Sequence, residues 1–216
     1  MPESLDVFSL ALGPLGANCF IAKCDGDALL VDPGDEAGVV VRACDRLGVA
    51  PAAILVTHGH FDHVGAVEPL AHRYGAGVYV GRPDAAEIAD PGLGPLAGFD
   101  VPPVTSHLTI LDGEQQLDLA IPALAIPTPG HSRGSYSFHI AGHLFVGDLL
   151  FFGSVGRTDL PGGDHRALLR SVAELVRRFP LETPVHCGHG PDTTLAHELA
   201  LNPFLGPLRR DQERVP

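Results

Sequence analysis

The chain has 216 residues, enough for one large or two small domains, and its 45% hydrophobic content can bury a sizeable core. A formal net charge of −12 argues against nucleic acid and against anionic membrane surfaces, both of which select basic protein surface. Met1-Pro2-Glu3-Ser4-Leu5-Asp6 lacks a signal-peptide pattern, no stretch approaches the ~18 apolar residues of a membrane span, and Cys19, Cys24, Cys44 and Cys187 match neither a disulfide framework nor a C-x-x-C pair, so reduced thiols in a cytoplasm are expected.

The first half reads as strands, then alternating helix and strand. Val7–Ala11 and Asn18–Lys23 are apolar runs around Gly13-Pro14-Leu15-Gly16, and Ala28–Val31 follows the Asp25-Gly26-Asp27 turn as a hairpin would. Glu36–Leu47 carries Val39, Val40, Ala43 and Leu47 on one helical stripe and stops at Gly48. Ala52–Val56 is continuously apolar, as in a strand buried on both faces. A helix over Ala66–Tyr74, a strand at Val78–Val80 and a helix at Pro83–Ala89 follow, and the Pro- and Gly-rich stretch Asp90–Val104 reads as a loop.

The second half repeats the plan. Strands are expected at His107–Leu111, Ala123–Pro127, Tyr136–Ile140 and His143–Val146, then a helix over Asp164–Phe179, a short strand at Pro184–His186 and a helix over Thr193–Leu201. No linker separates the halves. The economical architecture is an α/β, αββα sandwich, two facing mixed sheets with helices outside, in a single domain spanning 1–208 with a polar tail at 209–216.

Thr57-His58-Gly59-His60-Phe61-Asp62-His63 places three imidazoles and a carboxylate within six residues, directly after an apolar strand. In extended backbone, side chains at i and i+2 leave one face, so His58 and His60 can reach one cation. Asp62 and His63 can then project from a turn toward a neighbouring one. His131, Asp148 and His189 each follow a strand and lie beside glycine, which lets backbone approach a crowded centre. Seven candidates exceed the needs of one tetrahedral zinc and suit two metals roughly 3.5–4 Å apart. The donor set is nitrogen and oxygen, admitting zinc, iron or manganese, with zinc expected. Asp32 reads as a turn residue beside Pro33-Gly34, Cys187 as a small apolar filler, and His186 as a core group or a support to the metal ligands. His72, His107, His139, His143, His165 and His197 read as ordinary isolated histidines.

In order and context these motifs resemble the metallo-β-lactamase superfamily, and within it the short, single-domain type of glyoxalase II (hydroxyacylglutathione hydrolase). Asp32-Pro33-Gly34, the run from Pro129 to Ser135, the run from Gly153 to Asp164, Gly188-His189-Gly190-Pro191 and Asn202-Pro203-Phe204 support the resemblance, which covers about Leu10 to Phe204. The resemblance implies that His58, His60 and His131 hold a first divalent metal and Asp62, His63 and His189 a second. It further implies that Asp148 bridges them, together with a bridging water or hydroxide. The expected reaction is hydrolysis of a small-molecule thioester, with Asp62 also orienting the nucleophile and Arg157 binding a substrate carboxylate.

Full-length glyoxalase II enzymes carry a further helical domain that contacts glutathione and a lysine and tyrosine in the segment after the bridging aspartate. Here that segment reads Gly156-Arg157-Thr158-Asp159, so the thiol carrier is left open. The same stretch resembles persulfide dioxygenases, which use one iron on residues matching His58, His131 and Asp148. That chemistry, or a lactonase, is the alternative; a dead binding module would require missing ligands, and none is missing.

Overall fold

The structure is a computed structural model that describes residues 4–90, 101–206 and 208. The first sheet is laid down in chain order. β1 (Asp6–Leu12), β2 (Ala17–Cys24) and β3 (Asp27–Val31) are antiparallel neighbours joined by tight turns. β4 (Ala53–Leu55), β5 (Gly77–Gly81) and β6 (Leu108–Leu111) then add in parallel. Parallel neighbours need crossovers, supplied by α1 (Ala37–Leu47), the short α2 (Phe61–Val64), α3 (Val67–Tyr74) and α4 (Ala85–Ala89).

The second sheet is made of β7 (Gln115–Leu117), β8 (Ala123–Pro127), β9 (Tyr136–Ile140), β10 (His143–Gly147), β13 (Pro184–Cys187) and β14 (Thr193–Thr194), in the order 14-13-10-9-8-7. Only β10 and β13 pair in parallel, across a crossover that contains the small hairpin β11 (Leu150–Phe151) and β12 (Ser154–Val155) and the helix α5 (His165–Arg178). The helix α6 (Leu195–Leu201) and a 3₁₀ turn at Pro203–Leu205 close the described fold.

Three apolar layers show why the strands are continuously hydrophobic. Along β2, Cys19 and Ile21 face α1 and α3, whereas Phe20 and Ala22 face the other sheet. The middle layer joins Phe20, Leu29 and Leu55 to Phe138, Ile140 and Phe145. The third lies between the second sheet and Leu168, Val172 and Leu175 of α5, with Leu195 of α6. A strand buried on both faces has no polar alternation to show. The αββα sandwich expected from the sequence is the architecture observed.

Boundaries shifted where tertiary pairing competes with local pattern. The helix expected over Thr193–Leu201 begins two residues late, because Pro184 and Val185 of β13 pair with Thr194 and Thr193. Thr194 then accepts a hydrogen bond from His197 N at 3.1 Å and caps α6. The helix expected over Pro83–Ala89 shrinks to Ala85–Ala89. The strands β7, β11 and β12 were not anticipated; each is only two or three residues long. Most of the expected Asp90–Val104 loop and the tail 209–216 lie outside the described residues. Among the described residues no helix is long and apolar enough to cross a membrane.

Candidate metal centre

Antiparallel pairing of β9 with both β8 and β10, and parallel pairing of β10 with β13, makes β8, β10 and β13 run in one direction. Their C-terminal ends therefore share a rim, where open α/β sheets place their ligands. His131 follows β8, Asp148 follows β10 and His189 follows β13. From the first sheet, β3 runs directly into Asp32 and β4 leads into His58 and His60. α2 carries Asp62 and His63 within its first turn.

Donor atoms of His58, His60 and His131 lie within 4.8 Å of one another, and so do those of Asp62, His63 and His189. Asp148 sits between the trios. Its Oδ2 is 3.5 Å from His131 Nε2 and 3.7 Å from His189 Nε2, and its Oδ1 is 3.4 Å from His63 Nε2. Asp62 Oδ2 lies 3.3 Å from His189 Nε2 and 3.8 Å from His63 Nε2. All seven sequence candidates from the metal motifs thus converge.

Hydrogen bonds behind the rings decide which nitrogen faces inward. Thr57 Oγ1 donates to Asp32 Oδ2 at 2.6 Å, which leaves its lone pair for His58 Nδ1 at 3.0 Å. His63 Nδ1 donates to Asp32 Oδ2 at 3.1 Å, and His131 Nδ1 to the Arg157 carbonyl at 2.8 Å. All three rings therefore hold their proton on Nδ1 and turn Nε2 into the centre. His60 instead offers Nδ1, 2.8 Å from His131 Nε2.

Asp32, His58 and His63 form a third close group. Asp32 is not a free ligand, however: its two oxygens accept from Thr57 N (2.7 Å), Thr57 Oγ1 and His63 Nδ1. The turn role expected for Asp32 describes only its backbone, at φ 49°. Its buried carboxylate orients His63 directly and His58 through Thr57.

The residues fit a cation. His58 Nε2, His63 Nε2 and Asp148 Oδ1 are buried polar atoms without a hydrogen-bond partner, a costly condition that a metal relieves. Burial and the neighbouring His63 and His131 push His58 well down, and burial with His131 pushes His60 down to about 4, so both keep lone pairs at neutral pH. Burial works against ionising Asp62, yet the His189 hydrogen bond and His63 hold its carboxyl at about 2. Asp148 is likewise held low by His63 despite burial. Burial would lower His63, but Asp148 and Asp32 raise it well above the usual imidazole range, and the Asp62 hydrogen bond raises His189. Cys187 is no ligand: burial lifts its thiol to about 12, and it packs in the layer beneath α5.

Glycine is required where the walls close. A Cβ on Gly188 would collide with Asp148 Oδ1 and reach within 2.9 Å of His63 Cε1. Arg157, expected to bind a substrate carboxylate, contributes its carbonyl to His131, while its exposed guanidinium pairs bidentately with Asp159 at 2.8 Å. His186 lies in the core against Phe20 and Phe145, with Nδ1 2.8 Å from Asp192 Oδ2. That contact closes the loop carrying His189.

Sequence reasoning missed two residues that set the loops. Asp84 is fully buried and accepts from Gly59 N at 2.9 Å, Ser132 Oγ at 2.6 Å and Gly134 N at 2.7 Å. Removing it would strand three donors at about 1–3 kcal/mol each. It stands at the N-terminus of α4, yet its side chain does not cap that helix, and no local pattern marks its role between the loops. Asn18 on β2 donates to Cys187 O at 2.9 Å and Gly190 O at 2.8 Å, and nothing local marks it.

Residues 12–189 match the family model of the metallo-beta-lactamase superfamily. "Probable metallo-hydrolase YqgX" of Bacillus subtilis (strain 168) is 37% identical over 91% of this chain and 95% of its own length. "Hydroxyacylglutathione hydrolase GloC" of Haemophilus influenzae is 29% identical over 87% of this chain and 92% of its own. Among solved structures, BLEG-1, described as a B3 metallo-beta-lactamase, superposes with a TM-score of 0.87 at 37% identity, covering 93% of this chain and 100% of that one. TTHA1623, in a di-iron-bound form, superposes with a TM-score of 0.85 at 40% identity, covering 92% and 100%. The match to the family model and the extent of these likenesses establish that the chain belongs to the metallo-beta-lactamase superfamily.

Proposed function

We propose that this metallo-hydrolase fold holds two divalent cations and cleaves a small-molecule thioester. His58, His60 and His131 would hold one cation, Asp62, His63 and His189 the other, with Asp148 shared. The observation that carries the reading is the convergence of three orphaned buried donor atoms, one from each trio and one from the aspartate between them. Zinc is the proposed metal; iron is also compatible with the donors, and the 40% identical TTHA1623 has been solved with two irons. When bound, such cations supply Lewis acidity, lowering the pKa of a water toward ~7 and polarising a carbonyl oxygen.

The chain's own residues account for the rest. Asp62, ionised at neutral pH, accepts a hydrogen bond from the attacking water and orients it toward the carbonyl carbon. Asp32 and Thr57 hold His63 and His58 in one tautomer through the reaction. With all seven converging residues engaged by the two cations, none would be free to act as a proton donor to the departing group. A thiolate, with a parent pKa near ~8.5, leaves without one, whereas an amine or alkoxide does not. The likeness to GloC, a hydroxyacylglutathione hydrolase, supports the thioester class. Arg157 reaches a substrate carboxylate by exchanging it for Asp159.

The test is metal content of protein purified without added metal, followed by assays on S-lactoylglutathione, thioesters of other thiols and a β-lactam. Two metals per chain and thioester turnover that disappears in His58→Ala and Asp148→Ala are expected. Wild-type rates in both variants would sink the mechanism. One iron per chain, with oxygen uptake on glutathione persulfide, would assign the dioxygenase instead.

A further inference from the structure

We propose that the two cation sites are held by separate positioning residues, Asp84 for the His58–His60–His131 site and Asn18 for the site that includes His189, so that either occupancy can be weakened without the other. The inference rests on the two-cation reading above and extends it to residues that touch neither the cations nor the substrate.

The separation is geometric. Every partner of the Asp84 carboxylate flanks a ligand of the first trio. Gly59 lies between His58 and His60, while Ser132 and Gly134 follow His131. One buried carboxylate, on the loop between β5 and α4, thereby ties a loop of the first sheet to a loop of the second. The two loops then meet at the 2.8 Å contact between His60 Nδ1 and His131 Nε2. Ser135 backs this arrangement, its Oγ 3.1 Å from Ser132 N and 2.6 Å from Ser132 Oγ. A Cβ on Gly134 would clash with Asp84 Oδ1, so the approach is close on both sides.

The Asn18 side chain bonds at the other end. Its amide bridges Cys187 O and Gly190 O, on either side of His189, and its backbone N donates to Gly188 O at 2.7 Å. Gly188 N also donates to Gly147 O at 2.8 Å, which aligns the His189 loop with the strand end before Asp148. Neither Asp84 nor the Asn18 side chain has a hydrogen-bond partner in the other's set. Outer groups that orient metal ligands typically change affinity by about 10–100-fold when removed. Asp84 holds two loops with three bonds. The His189 loop has further support from His186–Asp192, so the larger effect is expected at Asp84.

The experiment is calorimetric titration of the metal-stripped full chain with Zn²⁺, paired with visible spectra of the Co²⁺-loaded protein. Wild type takes up two cations per chain. Asp84→Asn turns an amide N–H₂ toward donors it cannot accept from, and should weaken one binding event about 100-fold while sparing the other. Asn18→Ala should weaken the event that Asp84→Asn spares, by about tenfold, and the two variants should lose different parts of the Co²⁺ spectrum. Equal weakening of both events in either variant, or wild-type binding in both, overturns the inference. Uptake of fewer than two cations by wild type overturns the underlying reading instead, a result distinct from either. If thermal melts show Asp84→Asn unfolded, Ser132→Ala removes one of the three bonds and should give the same site-selective loss on a smaller scale; symmetric loss there counts equally against the proposal.

Discussion

The two trios at the rim of the sandwich flank one aspartate, Asp148, yet differ in chemistry. His58, His60 and His131 offer only imidazole nitrogens, and burial with the neighbouring rings pushes His58 and His60 away from protonation. Asp62, His63 and His189 combine a held-down carboxylate with imidazoles whose proton affinity is raised by Asp32, Asp62 and Asp148. The carboxylates thus favour protons on His63 and His189, whereas burial disfavours them on His58 and His60. Charge, more than distance, distinguishes the two.

Asp148, common to both, gives the most severe break. Asp148→Ala should lower thioester turnover by roughly 10³-fold or more and reduce metal content from two per chain toward none, read by elemental analysis and steady-state kinetics. A variant that kept either metal at wild-type affinity would show that the aspartate does not link the trios. Gly188→Ala comes next. The added methyl meets Asp148 Oδ1 and His63, so the second trio should lose its cation while His58, His60 and His131 keep theirs, with one metal remaining per chain.

Acid should separate the trios without mutation. A metal must displace protons from raised imidazoles, so affinity at His63 and His189 falls as pH drops through the range where they protonate. His60 stays neutral until pH nears about 4, and burial with the neighbouring His63 and His131 holds His58 well below the usual imidazole range. Dialysis at stepwise lower pH should therefore give a one-metal plateau before the last metal leaves. Simultaneous loss of both would contradict the contrast. Thr57→Val sharpens the same comparison from behind: loss of the hydroxyl between Asp32 and His58 should weaken the first site by about 10–100-fold.

The smallest effect is expected at Arg157. Its fork is already closed on Asp159 at the surface, and its contribution to His131 is a main-chain carbonyl that any residue supplies. Arg157→Ala should leave metal content unchanged and raise KM for carboxylate-bearing thioesters only a few-fold, as exposed ion pairs generally contribute little. Asp159→Asn, which frees the fork, should lower that KM if Arg157 takes the carboxylate.

Much of this was legible before any coordinates. The His58–His63 run announces itself because alternate side chains in an extended segment share a face, a local property of the backbone. His131, Asp148 and His189 were readable because each follows an apolar strand and neighbours glycine. The helix α5 was found nearly to its ends, since its apolar spacing and its cap at Asp164 are both local. Asp84 and Asn18 were not. Asp84 reaches partners up to 50 residues away and Asn18 one 172 away, and no short-range pattern encodes such pairings. The brief strands β7, β11 and β12 were missed for the same reason, being strands only by virtue of what lies beside them.

Sequence alone determined the kind of chemistry available and the layered fold that presents it, because ligand identity and hydrophobic periodicity are properties of neighbouring residues. Tertiary structure alone decided which nitrogen of each ring faces inward, which carboxylates converge with the rings and which stand behind them, and that Arg157 is already paired. Those outcomes depend on hydrogen-bond partners from distant strands, and a buried donor or acceptor takes whatever partner the packing brings to it.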